Sequence, residues 1–441
     1  MASKPNFVLI ISDDMGYSDM PLYAKSDIHT PALDRLAKSG VLFTNGYSTA
    51  PICTPSRQGI ITGRNQQRFG AYCMYTQPDQ FVLFREETTL PQMLKGAGYA
   101  TGLVGKWHMG PRECISGDAY GHPCDHGFDE YVGIPWGMSS YQPGVDLYRG
   151  RKEKFQAPEY LTDFFGKEAV DFIQRHQEQP FFLMLAFNAV HAPLEAIDED
   201  LDKLGGEFPG SPDRKTYAAM LEAMDRNVGR VLDALQELNL EGETWVGFIN
   251  DNGGGGNNTP EHTRNTACNA PLRGFKFDLY EGGVRVPMML RGPGLPVGMV
   301  CDDMVSGMDF APTFLQAAGL DLPVEKPMDG VDLSPFLKGQ TDAKPHDTLF
   351  WCNRVWDGPF QQQGPRNNIH NEAMRKNNWK IVRRAVPVDG EAENPWELYD
   401  LSKDIGEQHN IAPEYPELTE KLAGEFEAWR APLPKPLEKS W

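Results

Sequence analysis

The chain has 441 residues, 40% of them hydrophobic and 23% charged, which fits a folded protein of two or three domains and argues against disorder or a coiled coil. Its formal charge of −19 argues against a nucleic-acid partner, because phosphate contacts need a basic face and no run of Lys and Arg supplies one. A few cations focused in one cleft could still hold a small anion. The longest apolar stretches, 7–11 and 181–187, fall far short of the roughly 18 residues of a membrane span.

In chain order, residues 7–11 form a continuous apolar run ending in Ser12-Asp13-Asp14, which reads as a strand buried on both faces with carboxylates at its C-terminal end. Thr30-Pro31 opens a helix, with a capping residue followed by proline in the first turn. A helix over 89–97 stops at Gly98, residues 99–105 return as a strand, and the strand at 181–187 precedes a long amphipathic helix over 216–238. Residues 244–250 follow as another strand. This alternation predicts an α/β fold: a large, mostly parallel sheet sandwiched by helices, with ligands at the carboxyl ends of strands.

After about residue 339 the pattern changes to short strands at 348–352, 379–384 and 397–401, then a helix near 418–429. We therefore expect a catalytic domain over 1–339 and a smaller C-terminal α+β domain over 340–441, with an antiparallel sheet and one helix. The glycines at 253–256 read as an exposed, mobile loop directly after a strand end. Of seven cysteines, Cys53 is set aside for chemistry; the other six, Cys73, Cys114, Cys124, Cys268, Cys301 and Cys352, could pair or stay free.

The most specific motif is Cys53-Thr54-Pro55-Ser56-Arg57, followed by Thr62-Gly63-Arg64. Here the chain resembles the type I, formylglycine-dependent sulfatases of the alkaline phosphatase superfamily, and the resemblance runs from Asn6 to Trp396-Glu-Leu-Tyr-Asp400. It implies that a separate maturation enzyme oxidises Cys53 to an aldehyde whose hydrate attacks sulfur, giving a sulfo-enzyme intermediate. A sulfate ester resists attack because its negative oxygens repel nucleophiles, and a covalent route divides the displacement into two easier steps. The second hydroxyl of the hydrate can then collapse the sulfated species, whereas a plain alcohol would stay sulfated.

Asp13 and Asp14, with Asp251 and Asn252, form two pairs that each follow an apolar strand. Four oxygen donors without His or Cys suit a hard cation and favour Ca2+ over zinc; the resemblance implies the same four ligands, with the oxygens of a converted Cys53 and of sulfate completing the shell. Arg57, Lys106, His108, His191 and Lys276 form a basic set that would grip sulfate and stabilise its spreading charge in the transition state. By resemblance, His191 with Lys276 protonates the leaving sugar oxygen, His108 takes the proton that triggers collapse, and Arg57 anchors the formylglycine. Gly274-Phe275-Lys276 departs from the Gly-Gly-Lys or Gly-Ala-Lys of many relatives, which could reshape the pocket wall without removing the amine.

Three stretches are candidates for recognising the substrate, expected to be a sulfated polysaccharide or oligosaccharide such as an algal galactan of the carrageenan type or a glycosaminoglycan. The first carries Tyr131, Trp136 and Tyr141 among Gly and Pro, suited to sugar-ring platforms or equally to a packed loop. The second holds Arg354, Trp356, the glutamines at 361–363 and His370; the third holds His262 and Arg264. A formylglycine-dependent phosphonate or phosphodiester hydrolase is the nearest alternative, and a non-catalytic sulfated-glycan binder the alternative of another class. The opening Met1-Ala-Ser-Lys-Pro5 shows no leader. Because polymeric sulfated glycans lie outside cells, we expect a periplasmic or secreted protein, with a cytoplasmic one as the alternative.

Overall fold

A computed structural model describes residues 4–435, except 73–82, 84, 111–113, 115–119, 207, 210, 256–266, 355–368 and 388–393. Its centre is a ten-stranded sheet in the order β11-β2-β10-β9-β1-β8-β4-β5-β6-β7, whose outer strands β11 and β2 are Met299–Cys301 and Val41–Phe43. Five central strands, β9 (Thr244–Asn250), β1 (Asn6–Ser12), β8 (Phe181–Ala186), β4 (Ala100–Lys106) and β5 (Glu130–Ile134), run parallel. All seven residues of β1 are buried. Alternate side chains go to opposite faces of a pleated strand, so Val8 and Ile10 join one core with Phe165, Phe172, Met220 and Val228 of the Leu161–Arg175 and Pro212–Glu237 helices. Phe7, Leu9 and Ile11 join the other with Ile60 of helix α2 (Cys53–Thr62), Phe310 and Phe314.

The expected elements are present, with shifted ends. The long helix starts at Pro212 rather than 216, because Ser211 Oγ accepts the amide of Arg214 at 3.1 Å and proline takes the first turn. Flanking strands make the sheet mixed: β10 (Met288–Arg291) runs antiparallel to β9, and β6 (Asp146–Arg149) and β7 (Glu153–Gln156) continue antiparallel beyond β5.

The second sheet is antiparallel, in the order β13 (Thr348–Arg354), β14 (Ile369–Lys376), β15 (Trp379–Pro387), β16 (Glu397–Asp400). One face packs Met374, Ile381 and Leu398 on Leu422 and Phe426 of the Pro416–Arg430 helix. Its other face packs Trp351, Ala373, Val382 and Tyr399 on Tyr47, Leu279, Tyr280 and Val284. The sequence reading missed β14, whose Ile-His-Asn-Glu-Ala-Met-Arg-Lys shows no apolar alternation. Its buried Glu372 is neutralised by Arg383 and by Arg430, the latter at 2.6 Å, so a charged strand sits inside.

Candidate active site

Strand register sets the site. Ser12 pairs with Asn250, Ile11 with Ala186 and Gly105 with Ala186, so the residues leaving β1, β9, β8 and β4 emerge at one edge. These are Asp13-Asp14, Asp251-Asn252, the 187–191 turn and Lys106-Trp107-His108. Gly105 makes the last approach possible: its φ is 110°, and a Cβ there would lie 2.0 Å from the Ala186 carbonyl oxygen. Asp14 and His108 themselves adopt left-handed φ values of 63° and 55°. Non-glycine residues in that region are costly, and such strain clusters at functional sites.

Cys53 is the first residue of α2 and is buried. Pro55 sits in the first turn, where a missing N–H leaves no intrahelical bond unmade. One ligand atom each of Asp13, Cys53 and Asp251 lie within 4.8 Å of one another, as do those of Asp13, Asp14 and His191. Arg57, on the next turn of α2 and wholly buried, donates Nε to Asp251 at 2.8 Å and Nη1 to the Lys106 carbonyl at 3.1 Å, with Nη2 3.7 Å from Asp13. Lys106 Nζ contacts Asp13, and Lys276 Nζ lies 2.7 Å from Asp14. Asn252 donates its amide to Asp14 at 2.8 Å. The His191 Nδ1 lies 2.7 Å from the Ala192 carbonyl, an acceptor only, so Nδ1 is the donor and Nε2 is left 3.6 Å from Asp14. Thr54 Oγ1 donates to the His108 carbonyl at 3.1 Å, and the His108 ring lies so close to Gly137 that a Cβ there would meet Cε1 at 2.4 Å. All ten catalytic and ligand residues picked from the sequence thus converge.

Electrostatics follow from this crowding. Burial opposes the charge on Asp13, yet Lys106, His191, Arg57 and Lys276 together hold it below the carboxylate range. Asp251 goes the other way: burial, then the Asp13 charge, push it up to about 7 against Arg57 and Lys106. Burial disfavours the Lys276 ammonium, but Asp14, Cys53 and Asp13 together outweigh it and raise the amine. Burial and then Lys106 and Arg57 push His108 well down, and burial and Lys276 lower His191. Burial also raises the Cys53 thiol; an inert thiol is poor chemistry but a stable precursor for conversion. Asp13 Oδ1, Asp251 Oδ1 and Asn252 Oδ1 are buried with no hydrogen-bond partner. Buried oxygens without partners beside the Asp13–Cys53–Asp251 cluster suit a cation, so the donor set fits a divalent metal.

Segments beyond the strand ends close around these groups. The Lys276 amide donates to Gly254 O at 3.1 Å, the Phe277 amide to Pro51 O at 2.8 Å and the Gly253 amide to Gly283 O at 2.9 Å. A Cβ at Gly253 would fall 1.9 Å from Gly282 O. Residues 253–255 are therefore buried and packed, which corrects the expected mobile loop for those positions; Gly256 lies outside the described residues. Glu281, also buried, accepts Tyr47 Oη at 2.7 Å and Lys380 Nζ at 2.8 Å, and its amide donates to Glu407 at 2.6 Å. Arg273 donates to Glu407 O at 2.8 Å and Tyr399 Oη at 3.0 Å. The second sheet and the segment after it thereby brace the Lys276 loop, which the sequence reading missed because no spacing links Glu281 to Lys380.

The substrate-recognition candidates fare unevenly. Trp136 is half-buried, its ring edge-on to Tyr148 at 5.6 Å, and it adjoins Gly137 against His108. Tyr131 is buried in β5 and Tyr141 is wholly buried with its hydroxyl turned to main-chain carbonyls, so neither offers a sugar platform. His370 is likewise buried, with Nε2 2.7 Å from Glu372. Those three expectations are corrected. Arg354 is the last residue of β13, with its side chain outside the described residues. Trp356, the glutamines at 361–363, His262 and Arg264 fall outside them too. Cys53, Cys124, Cys268, Cys301 and Cys352 are free thiols; Cys114 is buried, and Cys73 lies outside the described residues.

Comparison with known proteins agrees with this chemistry. Residues 5–320 match the Sulfatase family, and residues 275–431 match the C-terminal family of N-sulphoglucosamine sulphohydrolase. N-acetylgalactosamine-6-sulfatase of Sus scrofa is 36% identical over 370 residues, covering 77% of this chain and 67% of that protein. Arylsulfatase A of Bos taurus is 32% identical over 450 residues, covering 93% and 84%. The solved structure of Ps i-CgsB in complex with k-i-k-neocarrahexaose superposes with a TM-score of 0.84 at 32% identity, covering all of this chain and 95% of that one. With the family match spanning its residues 5–320 and arylsulfatase A aligned over 93% of its length, this chain belongs to the sulfatase family.

Proposed function

We propose that the protein is a calcium-dependent carbohydrate sulfatase acting on a sulfated polysaccharide or oligosaccharide through a formylglycine derived from Cys53. The carrying observation is the placement of Cys53 within 4.8 Å of Asp13 and Asp251 oxygens, with Arg57, Lys106 and Lys276 around it. The carbohydrate class is supported by the N-acetylgalactosamine-6-sulfatase and neocarrahexaose-bound relatives.

Asp13, Asp14, Asp251 and Asn252 would hold the ion; all-oxygen donors favour calcium. When bound, the ion supplies positive charge that lowers the barrier to attack on an anionic ester. Three carboxylates already balance Arg57, Lys106 and Lys276, so that charge is left over for sulfate. The aldehyde hydrate of a converted Cys53 supplies covalent displacement at sulfur and collapse back to aldehyde. Arg57, tied to Asp251 and the Lys106 carbonyl, keeps the first turn of α2 facing the acidic pair. Lys106 and Lys276 grip sulfate oxygens; His191 Nε2, when protonated, gives its proton to the departing sugar oxygen. His108, held neutral by burial and its cationic neighbours, is the base for the return step.

Residues 1–339 would form the catalytic domain and 340–441 the smaller one. Conversion requires a formylglycine-generating enzyme. The proposed substrate puts the enzyme outside the cytoplasm; among the described residues no helix is long and apolar enough to cross a membrane. The test is desulfation of a panel of defined sulfated oligosaccharides, beside matched phosphate esters, after mass spectrometry of the Cys53 peptide has established conversion. Release of sulfate from a glycan is expected. Turnover of aryl sulfates with none of the glycans, or faster phosphate release, would defeat the reading.

A further inference from the structure

Tyr141 reads from sequence as a sugar platform or equally as part of a packed loop, and the structure gives its phenol a definite task. The hydroxyl lies 2.6 Å from the carbonyl oxygen of Asn188 and 2.7 Å from that of His191. Its ring is wholly buried. One phenolic proton faces two acceptors, so the hydroxyl ties together both ends of the turn that presents His191. The rest of that turn is fixed to β1: the Val190 amide donates to Asp13 O at 2.7 Å, and the Asp13 amide to Ala189 O at 3.0 Å. Further along, Glu195 accepts Ser140 Oγ at 2.6 Å and the Tyr141 amide at 2.8 Å. Residue 141 thus clamps the 188–195 segment twice, by its side chain at the near end and by its main chain at the far end.

The imidazole depends on this clamp. His191 Nδ1 is spent on the Ala192 carbonyl, so the direction of Nε2 follows the path of the main chain through 191–192. That is the stretch whose carbonyl the Tyr141 hydroxyl holds. An acid that misses the leaving oxygen by about 1 Å loses around a hundredfold in rate. We propose that Tyr141 is a positioning residue for proton delivery to the leaving group, acting through the His191 turn. This rests on the reading of His191 as the leaving-group acid.

The test compares Tyr141→Phe with the parent, both converted at Cys53 and supplied with calcium, on aryl sulfates of graded leaving-group acidity and on one sugar sulfate. Phe keeps the ring and removes one oxygen; a matching thermal midpoint establishes that the variant folds. With 4-nitrophenyl sulfate, whose phenolate leaves without a proton, kcat stays within about twofold. With phenyl sulfate and the sugar sulfate kcat falls about tenfold to a hundredfold, with KM little changed. Amide exchange across 188–195, measured without substrate, quickens while exchange in β1 is unaltered.

An equal loss on every substrate makes Tyr141 merely structural, and no loss on any overturns the proposal outright. His191→Ala separates the two levels. If it shows the steep leaving-group dependence and Tyr141→Phe does not, the positioning idea fails alone; if His191→Ala shows none, the assignment of the acid fails and takes the positioning idea with it.

Discussion

Removing and restoring the divalent ion across pH probes the acidic cage directly. Without an ion, burial and Asp13 push Asp251 up to about 7, while Asp13 stays ionised beside Lys106, Arg57 and Lys276. A carboxyl raised this far binds a proton in the folded state that the unfolded chain has already lost, so its contribution to stability falls as pH climbs from about 4 to about 7. A divalent ion taken up by these oxygens must displace that proton. Below neutral pH binding should therefore release a proton that it does not release at alkaline pH, and apparent affinity should weaken as pH falls. At an ion concentration a hundred times Kd the stabilisation is about 2.7 kcal/mol. Spread over 441 residues at about 2.1 cal/mol/K each, that raises the thermal midpoint by roughly 3 °C. Calorimetric titration of chelated protein in buffers of different ionisation enthalpy counts the protons. No release near pH 6, or zinc preferred to calcium, would refute the assignment of these oxygens.

Other outcomes follow from single contacts. Cys53→Ser, which provides one hydroxyl, should accept sulfate once and stop, gaining the mass of one SO3 group in intact-protein mass spectrometry; repeated turnover would contradict the hydrate chemistry. Lys276→Met leaves Asp14 without the cation now 2.7 Å away and should cut kcat by about a hundredfold or more, with sulfate inhibition weakened in parallel. Gly105→Ala meets the Ala186 carbonyl and a φ of 110°; denaturant titration should show about 3 kcal/mol lost or failure to fold. Glu372→Ala removes the β14 carboxylate shared by Arg383 of β15 and Arg430 of the C-terminal helix, leaving both with Glu427, and should cost about 1–3 kcal/mol by the same measurement.

What the sequence revealed tracks the physics that acts locally. The strands at 7–11, 181–187 and 244–250 are runs of apolar residues because both faces of a parallel sheet are covered, and polar residues directly after such runs mark the reactive edge. Asp13, Lys106, His191 and Asp251 were legible for that reason. Strand β14 was not, since Glu372 and Arg375 look solvated until partners distant in sequence are known. Tyr141 failed for a related reason: a tyrosine among glycines and prolines looks the same whether its ring faces out or in. The direction was set by carbonyls 47 and 50 residues further along. The glycines from 253 suggested looseness, yet Gly253 is small because Gly282 passes against it.

The bracing of Glu281 by Lys380 and Glu407 has an engineering meaning. A chimera that exchanged β13 to β16 for those of a relative, in order to alter which sugar is accepted, would also exchange the abutment on which the amine of Lys276 is mounted. Transplanted preference and retained turnover can then be had together only if Tyr47, Arg273 and Glu281 travel with the graft.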